Sequence, residues 1–146
     1  MSRFKLRRAP LRLATGAFIL SSGLDKWKGD EDTAGQLHGF ATGTYPFLKP
    51  VEPPTFLRLL AGTEVALGAA LLLPVVPAAL AGAGLTAFSA GLLGLYLRTP
   101  GMRRGPRDLR STPAGLPISK DIWMLGAGLG LLADGLTDKD EDQDKD

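Results

Sequence analysis

The chain has no cysteine and a single histidine, and each shortage removes a class of function. Without cysteine there is no disulfide, no zinc–thiolate site and no self-contained dithiol relay. One histidine, His38, cannot supply bis-histidine haem ligation. An excess of one charge is missing too: 17 Lys and Arg stand against 15 Asp and Glu, a net charge of +2. That is too small to argue for a nucleic-acid partner. The Gly-x-Gly of "GAGLG" at 126–130 follows no strand, so it reads as close helix packing through Gly126 and Gly130 rather than as a phosphate loop. No metal site and no resident cofactor is evident.

Apolar residues and glycine are abundant. Hydrophobic residues make up 45% of the chain, yet mean hydropathy is only +0.08, because the polar residues gather at the ends and in two loops. Many of the 19 glycines sit inside apolar runs, a pattern of membrane helices, where small residues permit close approach. Four apolar segments follow one another. They predict an all-α, integral membrane four-helix bundle with helices at about 11–27, 55–73, 75–97 and 119–135, in one domain over 1–136. A crossing needs about 20 residues. The third segment meets this fully, rising roughly 34 Å as a helix, and the second is adequate. The first and fourth are short and span if Arg12, Lys26 and Lys120 snorkel from their ends. No small-x-small cleavage pattern follows the first, so it reads as a retained helix rather than a signal peptide.

"PVVP" at 74–77 makes a tight hairpin between the second and third segments. The two long connections, 28–54 and 98–118, are rich in Gly, Pro and Thr. A short helix over 32–42 fits the first, with Asp32 or Thr33 as its cap. The second, arginine-rich, reads as irregular, and Arg103, Arg104, Arg107 and Arg110 fit three readings: attraction of anionic head groups, a solvated loop, or a docking site for a partner. The acidic tail 137–146 reads as disordered.

Within the second segment stands Glu64. An uncompensated carboxylate at that depth costs about 2–3 kcal/mol even on a lenient insertion scale. Four crossings put both termini on one side and both long loops on the other. Lys26, Glu64, Arg98, Lys120 and Asp121 then all fall toward the loop side, so Glu64 has cations within reach. It is the one candidate catalytic residue, and its plainer reading is a buried ion pair that fixes the bundle. Gly62, Ala66 and Ala70 form a small-residue stripe about 160–200° around the helix from Glu64. Ala83, Ala87 and Gly91 form another on the third segment, and the two stripes are expected to meet across the "PVVP" hairpin.

Orientation is read from charge. The terminal side holds Arg3, Lys5, Arg7, Arg8, Arg12, Lys139 and Lys145; the loop side holds more cations in total. The first helix usually dominates, and its N-terminal flank is the more basic. Both termini are therefore expected in the cytoplasm of a multi-pass protein of the cell membrane.

The order of these features resembles the DoxX-like family of small four-helix bacterial inner-membrane proteins. The resemblance runs over about 11–135. It rests on Arg12 near the start of the first helix, Gly23 and Lys26 at its end, Ala61, Gly62 and Glu64 in the second, and Lys120 entering the fourth. The long arginine-rich loop departs from the compact family pattern. The resemblance implies association with respiratory-chain or sulfur redox enzymes, some of them quinone-linked, or with oxidative-stress complexes. Three function classes follow. One is a non-catalytic, accessory subunit of a membrane redox complex, which contacts the lipid bilayer and other membrane proteins or a second copy. Another is a quinone- or sulfur-linked oxidoreductase component with Glu64 as a protonatable site. The last is a small transporter, for which too few polar residues lie at mid-membrane depth.

Overall fold

The computed structural model describes residues 5–143. A short 3-10 turn, Leu6–Arg8, leads into α1 (Ala9–Trp27); α2 (Glu31–Thr44) follows, then α3 (Pro53–Leu72) and α4 (Ala78–Arg98). A small hairpin, β1 (Arg103–Gly105) and β2 (Asp108–Ser111), precedes the single-turn α5 (Leu116–Ser119) and the last helix, α6 (Asp121–Gln143). The protein is thus mostly helical. Three helical stretches, Pro53–Leu72, Ala78–Arg98 and Leu116–Asp138, are long and apolar enough to cross a membrane.

The helix boundaries follow from local chemistry. Pro53 and Pro54 open α3, where the missing N–H groups cost nothing. Pro77 starts α4, and the chain turns from α3 to α4 through residues 73–77. Helix α2 is capped by Asp30, whose side chain accepts from the Thr33 amide at 2.9 Å. The cap is therefore two or three residues earlier than the Asp32 or Thr33 read from the sequence, because Asp30 has the extended backbone a cap needs. That hydrogen bond holds the Asp30 carboxyl below its ordinary range.

The long helices form two antiparallel pairs, α1 with α3 and α4 with α6, while α3 and α4 touch little despite their short turn. Glycine sets each pair. A Cβ on Gly68 would sit 2.7 Å from the Leu20 backbone nitrogen, and one on Gly23 2.8 Å from that of Val65. In the other pair, a Cβ on Gly82 would meet the Leu132 nitrogen at 2.5 Å, one on Gly128 the Thr86 nitrogen at 2.7 Å, and one on Gly135 the Ala79 nitrogen at 2.4 Å. Backbones therefore approach too closely for any side chain. The core lies where the pairs meet, with Ile19, Leu67, Leu71, Ala81, Leu85 and Leu131 buried together.

The expected small-residue seam does not form. Ala66, Ala83, Ala87, Gly126 and Gly130 are exposed, Ala70 is half-buried, and no atom lies within 4 Å of a Cβ built on Gly62, Gly91, Gly126 or Gly130. The reason is rotational: Ala61, Gly68 and Leu71 turn α3 toward α1, and Gly82 turns α4 toward α6. Both stripes consequently point outward.

The ends differ from expectation as well. Instead of a disordered tail from 137, α6 continues to Gln143, and residues 144–146 lie outside the described residues. Asp134, just before this stretch, and Asp138 within it pair with Lys5, Arg7 and Arg8, which ties this part of α6 to the N-terminal segment. The loop expected to be irregular holds the β1–β2 hairpin, with Arg103 opposite Ser111 and Gly105 opposite Asp108.

Candidate functional site

Glu64 lies on the face of α3 that meets α1 and is only 4% exposed. Gly23 makes this approach workable: a Cβ there would lie 2.9 Å from that of Glu64. One turn further along α1, the Lys26 ammonium donates to Glu64 Oε2 at 3.1 Å and to Ser22 Oγ at 2.6 Å. Asp121, the first residue of α6, is half-buried and close enough to interact electrostatically with both Glu64 and Lys26. The site is therefore two carboxylates around one ammonium, drawn from α1, α3 and α6. Beside it runs a groove of about 510 Å³ lined by Ser21, Ser22, Asp25, Lys26 and Thr33 among others. Lys26 is the residue shared by the groove and the buried pair.

Of the five residues read as a loop-side cluster, the structure brings together Lys26, Glu64 and Asp121. Arg98, the last residue of α4, is exposed. Lys120 is also exposed and turns to an apolar groove on the other flank of α6. Neither makes a hydrogen bond to Glu64. His38 sits in α2, edge-on to Phe56, with Nε2 3.0 Å from the Leu48 carbonyl.

Arg12 is the largest departure from the sequence reading. It is 6% exposed and does not snorkel. Its guanidinium donates to the carbonyls of Ala70 at 2.8 Å, Leu71 at 2.7 Å, Leu73 at 2.8 Å and Val76 at 3.1 Å. These include the orphan acceptors of the last turn of α3, and a cation is favoured at that end of the helix dipole. An arginine one turn inside an apolar segment is a signal for such a role, but sequence alone does not say which helix end it serves. Two tyrosines missed from sequence act likewise: Tyr45 donates to the Gly91 carbonyl and Tyr96 to that of Leu109, each at 2.6 Å. Ser89 Oγ, fully buried, is the one such side-chain atom with no hydrogen bond among the described residues. Among these residues no group of three or more His, Cys, Asp or Glu side chains is placed to hold a metal.

Apolar helices of spanning length, charged groups satisfied inside the bundle and an outer surface of Leu, Phe and Trp define a small helical membrane protein. The DoxX family model matches residues 8–99, well over half of the chain, and the chain belongs to the DoxX family. The match contains Arg12, Lys26 and Glu64 and ends before the fourth apolar segment, so the resemblance through Lys120 falls outside it. No curated protein and no solved structure matches the chain.

Proposed function

We propose that this protein is a four-crossing, non-catalytic subunit of a membrane complex of the redox-associated kind that its family implies. The observation that carries this reading is the outward direction of the small residues. Gly62 and Ala66 on α3, Ala83 and Ala87 on α4, and Gly126 and Gly130 on α6 lie away from the chain's own contacts. In lipid, where apolar burial gives helices no drive to associate, close packing on small residues supplies it. Only 11% of the apolar window of α6 is buried within the chain, which leaves that helix a broad face for another protein's helix or a second copy.

The fourth crossing is α1. Near its start Arg8 pairs with Asp134 and Asp138 of α6, and near its end Lys26 pairs with Glu64. Helix α1 therefore runs the height of the bundle beside the spanning helix α3. Its two internal cations are both satisfied, which removes the main cost of inserting them. Both termini then share one side, taken as cytoplasmic.

A second reading keeps chemistry in this chain. The two-acid, one-lysine cluster carries one more carboxylate than its cation neutralises, and the groove at Lys26 gives a quinol or a sulfur substrate access to it. In that case Glu64 or Asp121 takes up the proton released on oxidation, with the oxidant supplied by the complex. Purification in mild detergent, followed by mass spectrometry of proteins and of quinones, separates the readings. The subunit reading expects a stoichiometric membrane partner that is lost in Gly126→Leu while the isolated chain stays folded. A chain that purifies alone with bound quinone, lost in Glu64→Gln, would replace it with the second reading.

A further inference from the structure

We propose that the groove between the loop-side ends of α4 and α6 and the β1–β2 hairpin binds one phospholipid with an anionic head group. The groove has a volume of about 550 Å³, within the usual size range for small-molecule sites. Its walls are apolar, with Leu93 and Leu97 from α4, Leu109 from β2 and Trp123 from α6. Its rim is polar, with Lys120 and Ser111. One wall suits an acyl chain and the other end suits a head group.

Charge selects the head group. The Lys120 side chain is exposed and makes no hydrogen bond or ion pair among the described residues. The hairpin lines the groove with Leu109 and Ser111; beside these lining residues it carries four arginines against one acid, Asp108. Arg110 is taken up by Asp108, at 2.8 Å. Arg103 donates to the carbonyls of Leu97 and Pro106, and Arg104 to that of Ser111. These backbone acceptors leave the arginine charges uncancelled. Arg107, at the hairpin turn, has no side-chain partner among the described residues.

Depth agrees with this assignment. Leu97 is one residue from the end of the spanning helix α4, and Trp123 is the third residue of α6. The rim therefore lies where lipid head groups lie, and tryptophan favours that level. A cationic rim at that level attracts an anionic head group whichever leaflet it faces. An acidic segment of another protein could meet the same cations but would not need the apolar walls.

Trp27 and Trp123 are the two tryptophans of the chain, so Trp27→Phe leaves Trp123 as a reporter inside the groove. The protein is placed in nanodiscs whose phosphatidylglycerol or phosphatidylcholine carries brominated acyl chains. Brominated phosphatidylglycerol is expected to quench Trp123 at a mole fraction about five-fold lower, the factor for roughly one cation at an anionic surface. Lys120→Gln with Arg107→Gln, both at exposed side chains, should abolish the preference, and Arg58→Gln, a cation outside the groove, should keep it. Equal quenching by the two lipids in the Trp27→Phe chain would overturn the proposal by itself. So would a preference that survives the paired substitution, or relief of quenching by a soluble acidic peptide, which would assign the surface to a protein.

Discussion

Replacing Lys26 by methionine should harm this protein more than replacing Glu64 by glutamine, although both break the same ion pair. The Glu64 side chain is 5% exposed and that of Lys26 is 24% exposed. In Glu64→Gln the lysine keeps Ser22 Oγ at 2.6 Å, keeps the attraction of Asp121, and can slide its ammonium into the neighbouring groove. The expected loss is roughly 1–2 kcal/mol, the scale of a charged hydrogen bond. In Lys26→Met, Glu64 and Asp121 are left as two carboxylates with no cation between them. Breaking a buried pair from that side costs about 3–5 kcal/mol. The double substitution should recover part of the loss, with a coupling of about 1–3 kcal/mol. The assay is reversible unfolding in mild detergent, followed by helical circular dichroism. Equal losses from the two single substitutions, or a coupling near zero, would refute the placement of Asp121 beside the pair or the pair itself.

Three further outcomes follow from the geometry. Arg12→Gln strands carbonyls at the end of α3 that four N–H bonds now satisfy; it should cost about 3 kcal/mol or more, and Arg12→Lys should rescue only part, since an ammonium lacks the fork. Thermal unfolding in detergent reads both. Gly68→Leu and Gly82→Leu should disrupt their helix pairs, because even a Cβ would lie 2.7 or 2.5 Å from a facing backbone nitrogen, whereas Gly126→Leu should leave the melting temperature unchanged. The cap of α2 should respond to acid: the folded Asp30 carboxyl lies below its ordinary value, so its contribution is present above the unfolded pKa of about 3.9 and fades as pH falls through the lower folded value. Amide exchange at Thr33 should rise over that window, and an exchange rate independent of pH after correction for intrinsic chemistry would contradict the cap.

Helices α3 and α4 were legible because proline brackets their apolar runs: Pro53 and Pro54 before α3, and Pro74 and Pro77 between α3 and α4, leave few other boundaries; α1 and α6 were legible as apolar runs alone, and the end of α6 was misplaced. The pairing of Glu64 was legible as a need for a cation, since burial at that depth demands one, but not as the choice of Lys26 over Lys120 and Arg98. That choice rests on the rotation of α3 against α1. The packing surfaces were misread for the same reason. Four-residue stripes such as Gly62 and Ala66 mark a helix face without saying whether the chain's own neighbour covers it. Among the glycines that seat the pairs, Gly16, where a Cβ would lie 2.9 Å from Leu72 Cγ, recurs with Gly23 at seven residues, as Gly128 does with Gly135, a spacing that also keeps one face. The pairing of Asp134 and Asp138 with the basic N-terminal residues was hidden by distance along the chain, more than 120 residues, and by a composition that reads as a solvated tail.

If α1 crosses the membrane with the three more apolar helices, as proposed, the chain crosses four times. The chain contains no cysteine, so single cysteines can be introduced directly. Leu6, Val75 and Thr137 should react from one side of the membrane, and Thr42 and Arg107 from the other, when intact cells are treated with a membrane-impermeant thiol reagent before and after permeabilisation. With the termini in the cytoplasm, the first three are protected in intact cells and the last two are labelled. Labelling of Leu6 together with Thr42, and opposite to Thr137, would mean that α1 does not cross, and it would overturn the four-crossing topology.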